Sequence, residues 1–599
     1  MPGPQRNRYT TKEKADFKAL GKLLKYCKSY VVAILVALFF AMVAAITSII
    51  GPNKINDLMN VIESGIQSID GISMPDFLKI CYFLISIYIL GAIVNYCQQF
   101  IMADVTQKTS KRLRSDINKK INQLPLSYFD TTTRGDILSR ITNDVDTISQ
   151  TLSSTIANLV NAITLFIGVI IMMFVVNWEL ALVTIASSII GFILVFFILT
   201  FSQKYFNKRQ KNLGDMNGHI EEIYSNHHVV KSYNGESKAI EQFDVINKEL
   251  YRNNYKSQFL SGLMQPIMNF SGNLSYASIF IVGVFLILNG NSNVGFGTII
   301  SFTIYARLFS QPLSTFAQSL TSIQQASAAS RRVFEMLEAP NLEDESKKNK
   351  KLEEVKGDVE FKNVQFGYHK DNLIIKNFSI ELKRGQKVAI VGPTGAGKTT
   401  VVKLLMRFYE LNGGEILLDG VNIKDYKRSE YESAFAMVLQ DTWLFNGTIL
   451  DNLRYGNLNA SDKEVIDAAK TASADFFIRT LPEGYNSIIN EETSNISGGQ
   501  KQLLTIARAI LANPKILILD EATSNVDTRT EELISQAMDK VMEGRTSFII
   551  AHRLSTIRNA DLILVMNEGD IVEVGHHEEL LAKNGFYAKI YNSQFEKVS

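Results

Sequence analysis

The chain has 599 residues, which is too long for one ordinary domain, so we expect two or more domains. Hydrophobic residues make up 46% of the chain and charged residues only 20%, a composition that argues against a purely soluble protein. The formal net charge of +2 by itself indicates neither an acidic nor a basic partner. Long charge-free stretches precede about residue 330, whereas residues after 340 have the composition of a soluble domain. Cys27, Cys81 and Cys97 form no disulfide framework, and we expect free thiols in a reducing environment.

Six apolar segments are long enough to cross about 30 Å of hydrocarbon as helices. No secretory signal is expected, because the first segment is long and no cleavage-site pattern follows it. We predict a six-helix transmembrane domain over residues 30–337, preceded by a cytoplasmic arm, 1–29, that contains an interfacial amphipathic helix over 13–28. The predicted spans lie near 30–52, 79–102, 153–176, 179–201, 260–288 and 296–320.

The segments that join the spans alternate in charge. Residues 53–77 are short and acidic, whereas 103–152 and 202–258 are long and basic, as is the N-terminal arm. Because basic segments stay on the cytoplasmic side of a membrane, we expect the N-terminus, both long segments and the C-terminal half in the cytoplasm. The helical spacing of the long segments predicts spanning helices that extend beyond the bilayer. Each is interrupted, at 124–130 and at 224–236, by either a short transverse helix or a simple hairpin tip.

One basic residue, Arg307, lies at about mid-membrane depth in the sixth span. An arginine is costly at this depth unless it faces water or a polar partner. The sequence leaves two possibilities open: Arg307 lines a water-filled cavity, or it packs between helices. Further polar residues within the spans are Asn95, Asn161, Asn269, Asn273 and Gln311.

A charged segment, 338–355, is predicted to be a linker to a second domain over 356–599. There the apolar run KVAIVG leads into GPTGAGKT at 392–399, and a helical pattern follows. A buried strand, a glycine-rich loop and a helix form a phosphate-binding loop, whose backbone N–H groups surround phosphate. Lys398 would bring positive charge to the β- and γ-phosphates, and the Thr399 hydroxyl would bind Mg²⁺. The predicted nucleotide-binding residues of this loop are Gly392, Thr394, Gly395, Gly397, Lys398, Thr399 and Thr400.

A second apolar strand, KILILD at 515–520, ends in two carboxylates. Asp520 is placed to bind Mg²⁺, and Glu521 is the best candidate for polarising the attacking water, because phosphoryl transfer depends mainly on positioning and charge stabilisation. An isolated Asp-Glu pair at a strand end is weak evidence. When the pair follows a glycine-rich loop in the same chain, it is strong evidence for nucleotide hydrolysis.

The motif SGGQ at 497–500 opens a predicted helix, KQLLTIARAILA. Ser497 and Gln500 have the spacing of a capping box. A simple cap does not explain Gly498 and Gly499, because glycine weakens the first turn of a helix. Their N–H groups at a helix start predict an anion site without an obstructing side chain.

These motifs, in this order behind six spans, resemble a half-transporter of the ATP-binding cassette (ABC) exporter family, of the multidrug or lipid-export type. The resemblance covers nearly the whole chain. It implies an α-helical membrane domain of the type IV exporter fold joined to an α/β P-loop nucleotide-binding domain, with ATP and Mg²⁺ as cofactors. In this family, SGGQ of one subunit completes the ATP site on the phosphate-binding loop of another, so a dimer is implied. The breaks at 124–130 and 224–236 match the coupling helices of the family.

The resemblance also suggests roles for individual residues. By position, Tyr368 resembles the residue that stacks on adenine, and Asp527 resembles the aspartate that couples the two ATP sites. Gln440 resembles the residue that senses Mg²⁺ and the attacking water, and His552 resembles the one that contacts the γ-phosphate. The implied catalytic residues are Glu521, His552 and Gln440, and the implied metal ligands are Thr399, Gln440 and Asp520.

Departures from the family pattern bear on the partner. Ile496 replaces the usual leucine, SNVD at 524–527 replaces SALD, and ETSNIS precedes the glycine pair where many homodimers are glycine-rich. These details and the long basic arm resemble one subunit of bacterial heterodimeric exporters. The key residues Glu521, His552 and Ser497–Gln500 are nevertheless intact, so the chain could also form two hydrolysing sites with itself. Homodimer and heterodimer both remain open.

The resemblance implies that ATP hydrolysis drives export of amphipathic or lipophilic compounds (drugs, lipids or peptides) across the cytoplasmic membrane by alternating access. Two alternatives are an importer of the same fold, for instance for a metal chelator, and an ATP-gated channel or regulatory protein. The spans exclude a soluble cassette protein that acts on nucleic acid, so the expected partners are the bilayer, a lipophilic substrate and a second half-transporter. Four histidines without motif context are expected to be solvated: His227, His228, His576 and His577.

Overall fold

The computed structural model describes residues 16–595 except 68, 70, 290–293, 349, 353, 370–371, 440–441, 490–495, 521–526 and 552–553. The chain divides into two compact units. The first comprises Met1–Asn122 and Arg134–Ala339, and the second comprises Gln123–Thr133 and Pro340–Ser599. The second unit thus includes a short segment from within the predicted membrane domain.

Helices dominate the described residues up to Leu337. Two π-helical stretches, Arg140–Asp144 and Thr151–Thr155, join three of them into one continuous helical run. The helices are α1 (Phe17–Tyr26), α2 (Val31–Gln67), α3 (Met74–Ile121), α4 (Leu126–Thr131), α5 (Arg134–Ser139), α6 (Val145–Gln150), α7 (Ile156–Val176), α8 (Trp178–Ser225), α9 (His227–Ser232), α10 (Glu236–Gly262), α11 (Met264–Leu288) and α12 (Phe296–Leu337).

Five helical runs in the described residues are long and apolar enough to cross a membrane. The sixth predicted span lies in α12, a helix of 42 residues that is less apolar because Arg307 and Gln311 interrupt it. Helices α3 and α8 have 48 residues each, or about 72 Å at 1.5 Å per residue, which exceeds the bilayer core more than twofold. The helical continuity predicted for the long segments is therefore confirmed, and their position relative to a bilayer stays a prediction. The five runs are Lys18–Gln67, Met74–Ile121, Arg134–Val176, Trp178–Ser225 and Glu236–Leu288.

Small residues bring α2 close to its neighbours. Ala37, Ala41 and Ala45 recur every fourth position and are buried. Val32 and Phe39, on the remainder of the helix surface, are exposed. Helices pack closely in a membrane through small residues, because lipid offers no hydrophobic driving force between them. The alanine stripe therefore packs in the helix bundle, and the large apolar residues face outward, as expected for contact with lipid.

A buried ion pair joins α12 to the helical run that contains α6. Asp144 is only 4% exposed, and the Arg332 Nε atom donates a hydrogen bond of 2.8 Å to its carboxylate. A second bond from the same guanidinium makes the contact bidentate. A bidentate Arg–carboxylate pair fixes geometry as well as charge. We infer that this pair fixes the position of α12 against α6 at that level of the bundle.

The two predicted breaks form short helices rather than simple hairpin tips. The first is α4, which belongs to the second unit, and the second is α9, which belongs to the first. His227 and His228, at the start of α9, are exposed, as predicted.

The second unit contains sheets flanked by helices. Its strands are β1 (Val359–Phe366), β2 (Ile375–Leu382), β3 (Lys387–Val391), β4 (Gly413–Leu418), β5 (Val421–Asn422), β6 (Phe435–Val438), β7 (Gly447–Thr448), β8 (Ile488–Ile489), β9 (Ile516–Asp520), β10 (Thr546–Ile550), β11 (Leu562–Asn567) and β12 (Asp570–Gly575). Its helices, besides α4, are α13 (Lys398–Leu405), α14 (Arg428–Glu432), α15 (Ile449–Arg454), α16 (Asp462–Thr471), α17 (Asp475–Thr480), α18 (Gly498–Ala512), α19 (Thr528–Met542), α20 (Leu554–Arg558), α21 (His577–Ala582) and α22 (Phe586–Phe595).

The central sheet has the strand order β12-β11-β3-β10-β9-β6. All of its pairings are parallel except that of β11 with β12. Along β3, Val388 and Ile390 belong to one hydrophobic core, whereas Ala389 and Val391 belong to another. Successive strand residues point to opposite faces, so this sheet is covered on both sides and its strands are apolar throughout. The α/β expectation is confirmed.

Residues of the predicted linker make ion pairs and hydrogen bonds within the second unit. Glu345 is 2.8 Å from the guanidinium of Arg407, a residue that is only 1% exposed. The backbone N–H of Arg428 also donates to Glu345, at 2.6 Å. A buried arginine needs a charged or hydrogen-bonding partner, and here the linker supplies it. The charged composition of the segment suggested a tether, and composition cannot indicate which residue pairs with Glu345.

Candidate functional site

The predicted nucleotide-binding residues follow neighbouring strands of the central sheet. Strand β3 ends at Val391, immediately before the glycine-rich loop, and β9 ends at Asp520. Between them lies β10, whose residue Ile550 pairs in register with both Ile390 and Asp520. Because all three strands are parallel, their carboxyl ends meet at one edge, where α/β sheets bind ligands. The sheet thus brings the loop and the Asp520 carboxylate to the same edge.

The glycine-rich loop has a backbone that side chains would disturb. Gly395 and Gly397 have φ angles of +86° and +99°, in the left-handed region. A Cβ atom at Gly397 would lie 2.8 Å from the Cδ1 atom of Ile375. Helix α13 begins at the next residue, and no side chain caps it. Its first N–H groups are therefore not bound by a capping side chain, which is the arrangement that binds phosphate.

The side chain of Lys398 contacts the backbone of this loop. Its Nζ atom donates hydrogen bonds to the carbonyl oxygens of Gly392, at 2.6 Å, and Pro393, at 3.1 Å. Burial lowers the pKa of Lys398, and the negative charge of Asp520 partly opposes this shift. A lysine partly removed from water gains by contact with an anion. The lysine and the uncapped helix start together fit a nucleoside triphosphate.

The threonines of the loop differ in exposure. Thr394 and Thr399 are exposed, whereas Thr400 is 8% exposed and buried. Thr399 is the second residue of α13, and its hydroxyl belongs to the donor set that a hard divalent cation prefers, together with the Asp520 carboxylate. These oxygen donors fit Mg²⁺.

The SGGQ segment forms the predicted capping box. The Gln500 N–H donates to the Ser497 hydroxyl at 3.2 Å, and the Ser497 N–H donates to the Gln500 side chain at 3.0 Å. Gly498 is exposed, and a Cβ atom there would have no described neighbour within 4 Å. Gly499 is buried. The first turn of α18 therefore presents a bare backbone surface at Gly498.

Asp527 caps a different helix. Its carboxylate accepts a hydrogen bond of 2.9 Å from the Thr530 N–H at the start of α19, and this bond lowers the pKa of Asp527. The three predicted catalytic residues Gln440, Glu521 and His552 lie outside the described residues. Their neighbours Val438, Asp520 and Ile550 end strands β6, β9 and β10. Their roles therefore stay predictions.

An aromatic group surrounds Tyr368. The Tyr368 ring is 41% exposed and meets the edges of Phe366, at 5.1 Å, and Tyr409, at 5.2 Å between ring centroids. The Lys403 Nζ atom lies 5.9 Å from the Tyr368 centroid and 5.8 Å from that of Tyr409. The rings hold Tyr368 while part of its surface stays accessible, as a residue that stacks on a planar base requires.

The sequence analysis did not identify a contact between this aromatic group and α4. The Tyr409 hydroxyl donates a hydrogen bond to the carboxylate of Asp130 in α4. Burial, followed by that hydrogen bond, raises the pKa of Tyr409. Asp130 and Tyr409 are 279 positions apart, and no pattern in either segment links them. Only the tertiary structure joins the short helix to the ring beside Tyr368.

The prediction for His577 is wrong. Its side chain is buried, at 7% exposure, and its Nδ1 atom lies 2.7 Å from the Tyr587 hydroxyl. Burial lowers the pKa of His577. The adjacent His576 is exposed, as predicted. The error arose because a histidine without a motif gives no sign of which side of a short helix it occupies.

Comparison with known proteins covers both units. Residues 34–313 match the family described as ABC transporter transmembrane region, and residues 375–524 match the family described as ABC transporter. A fatty acid ABC transporter ATP-binding/permease protein of Mycobacterium bovis is 43% identical over 540 residues, which cover 90% of this chain and 84% of that protein. An ATP-dependent lipid A-core flippase of Haemophilus influenzae is 36% identical over 599 residues, which cover 99% of each.

The fold and the site thus define an ATPase coupled to transport across a membrane. The chain belongs to the ABC transporter family and has the organisation of an exporter half-transporter, with membrane helices and one nucleotide-binding domain in a single polypeptide. It binds ATP, is a multi-pass membrane protein and acts as a dimeric exporter. The relatives give no support to an importer.

Proposed function

We propose that this half-transporter uses Mg²⁺-dependent ATP hydrolysis to move lipids with an amphipathic structure from the cytoplasmic side of the membrane outward. The observation that carries the proposal is the meeting of the glycine-rich loop and Asp520 at one edge of a parallel sheet, in a chain with membrane-spanning helices. The basic segments 103–152 and 202–258 support a cytoplasmic position for the nucleotide-binding unit.

Each ATP site would combine two subunits. Lys398 and the first N–H groups of α13 would hold the phosphates, and Tyr368 would stack on adenine. Thr399, Asp520 and Gln440 would hold Mg²⁺, which would neutralise charge on the phosphates. The start of α18, where Gly498 is exposed and Gly499 is buried, would approach the phosphates from the partner subunit. This shared site explains why a helix start has a glycine pair that weakens it.

Hydrolysis would depend on residues that follow two neighbouring strands. Glu521 follows β9 and would polarise the attacking water, and His552 follows β10 and would contact the γ-phosphate. Asp527, which holds the start of α19, would connect the two sites of the dimer. These positions suit phosphoryl transfer, which requires orientation and charge stabilisation rather than a covalent intermediate.

The lipid substrate class is supported by the descriptions of the relatives, one a fatty acid transporter and another a lipid A-core flippase. The test uses the purified full chain in liposomes, with ATP and Mg²⁺, and follows labelled oleate and a labelled phospholipid across the bilayer. We expect ATP-dependent movement away from the nucleotide-binding side. ATP hydrolysis without movement of either lipid would contradict the proposal. Native mass measurement of the complex distinguishes a homodimer from a heterodimer.

A further inference from the structure

A polar cavity of 630 Å³ lies between α11 and α12 of the first unit. On α12 its wall contains Arg307, Ser310, Gln311 and Ser314. These positions follow the spacing i, i+3, i+4 and i+7, so they share one face of the helix. Helix α12 therefore presents a polar stripe to the cavity within its predicted membrane span.

Helix α11 presents a matching stripe. Gln265, Asn269 and Asn273 recur every fourth position and line the same cavity. On other positions of α11, Ile281 and Phe285 are apolar and exposed, as lipid-facing residues are. Gln265 donates to Asn269, and Ser310 donates to the Ala306 carbonyl oxygen, within their own helices. Hydrocarbon cannot satisfy the remaining donors and acceptors of the two stripes, so these groups need water or a polar ligand between the helices. The structure thus favours a lined cavity over a simple packing role for Arg307.

The cavity has a positive charge without a counterion. Arg307 is the one charged residue in its wall, and within the described part of the chain no carboxylate pairs with it. It is the twelfth residue of α12, about 17 Å along the helix at 1.5 Å per residue, or roughly half of the hydrocarbon thickness. A cation at this depth is stabilised by an anion, and its planar guanidinium suits the two oxygens of a carboxylate or phosphate.

A second polar group in the wall also lacks a partner. Ser275 is 2% exposed, and its hydroxyl has no hydrogen-bond partner among the described residues. A buried hydroxyl without a partner is unfavourable, so it marks a position where a ligand oxygen or water is accommodated. Met268, Tyr276 and Ala306 supply apolar surface in the same wall. The cavity combines donors with apolar contacts, as a site for an amphiphile does.

We propose that this cavity binds the anionic headgroup of the transported amphiphile, a carboxylate or a phosphate, with Arg307 as the residue that selects for negative charge. This inference rests on the proposed function and adds the charge of the substrate to it. The apolar wall would contact the first part of the chain attached to the headgroup. A neutral amphiphile of the same chain length would bind more weakly, because it leaves the guanidinium without a counterion.

The test measures equilibrium binding to the full-length protein in nanodiscs, without nucleotide. Three probes share the same monounsaturated hydrocarbon chain: oleate, oleoyl lysophosphatidate and oleyl alcohol. The first two separate a carboxylate from a phosphate headgroup, and the alcohol lacks charge. We expect the wild-type protein to bind at least one anionic probe about tenfold or more tightly than the alcohol, the size of a charge-assisted hydrogen bond.

Two variants test Arg307 by different means. Arg307→Gln removes the charge and should weaken binding of the anionic probe about tenfold, whereas Arg307→Lys should keep part of the preference. Gln311→Glu leaves the arginine in place and puts a carboxylate four residues away on the same helix face, where it would neutralise the guanidinium. It should weaken anion binding similarly even if Arg307→Gln fails to fold. Arg252→Gln, at an exposed position of α10, is the matched control for loss of one positive charge and should bind as the wild type does.

The outcomes separate this inference from the proposed function. If the wild-type protein prefers no anionic probe, or if Arg307→Gln and Gln311→Glu bind anions as tightly as the wild type, the headgroup inference is wrong. It is also wrong if Arg252→Gln loses as much affinity. Continued ATP-dependent movement of oleyl alcohol in liposomes would then leave the proposed function intact. Both the inference and the proposed function would be overturned if the protein bound and moved none of the three probes.

Discussion

The contact between Tyr409 and Asp130 yields a prediction about coupling between ATP hydrolysis and transport. Tyr409→Phe removes the hydroxyl that donates to the Asp130 carboxylate in α4 and keeps the ring that meets Tyr368 at 5.2 Å. Helix α4 directly follows α3, a spanning helix. Loss of this bond should weaken the contact of α4 with the rest of the nucleotide-binding unit, whereas the affinity for ATP should stay unchanged.

The size of the effect follows from the burial of the pair. A hydrogen bond to a charged group contributes roughly 1.5–3 kcal/mol. Tyr409 is 8% exposed, but Asp130 is exposed, so solvent screening reduces the expected value to about 1 kcal/mol. That free energy corresponds to about a fivefold change in an equilibrium constant. We therefore expect the amount of substrate moved per ATP hydrolysed to fall by up to about fivefold.

The assay measures ATP hydrolysis and substrate movement on the same proteoliposomes, together with the Kd for ATP. A double-mutant cycle of Tyr409→Phe with Asp130→Ala serves as the control, because it isolates the pairwise interaction from other effects of either change. We expect the double variant to lose little more than either single variant. The reasoning is refuted if the Tyr409→Phe protein transports as much per ATP as the wild type, or if the two changes add fully.

Three other changes test the ATP site and the membrane unit. Glu521→Gln should trap ATP in closed cassettes and abolish most turnover in a homodimer; near wild-type hydrolysis by the purified variant would refute the role of Glu521. Lys398→Ala should weaken ATP binding, because it removes the positive charge from the loop, and unchanged nucleotide affinity would count against the phosphate assignment. Arg332→Ala should destabilise the membrane unit by about 3–5 kcal/mol and lower its unfolding temperature, because Asp144 would stay buried without its partner. An unchanged unfolding temperature would show that Asp144 finds another partner or water.

The sequence by itself determined the features that rest on local patterns. Spans follow from the length of apolar runs, which the bilayer thickness fixes, and the capping box at Ser497 and Gln500 follows from spacing within one helical turn. The glycine-rich loop is equally local, because Gly395 and Gly397 adopt positive φ angles that other residues avoid. Because each of these motifs can be identified from a short stretch of sequence, their order along the chain was enough to suggest the family.

Tertiary structure alone decided how distant segments meet. The docking of the linker through Glu345 and Arg407, the contact of Tyr409 with Asp130, and the burial of His577 depend on residues far apart in sequence or on the orientation of a short helix. The type of a side chain does not predict its partner in the tertiary structure, because the same charged or aromatic residue is also stable when exposed to water. The sequence likewise left two roles open for Arg307, lining a cavity or packing between helices. The structure favours the cavity, because the polar stripe of α11 lines the same space and hydrocarbon cannot satisfy the polar groups of both stripes.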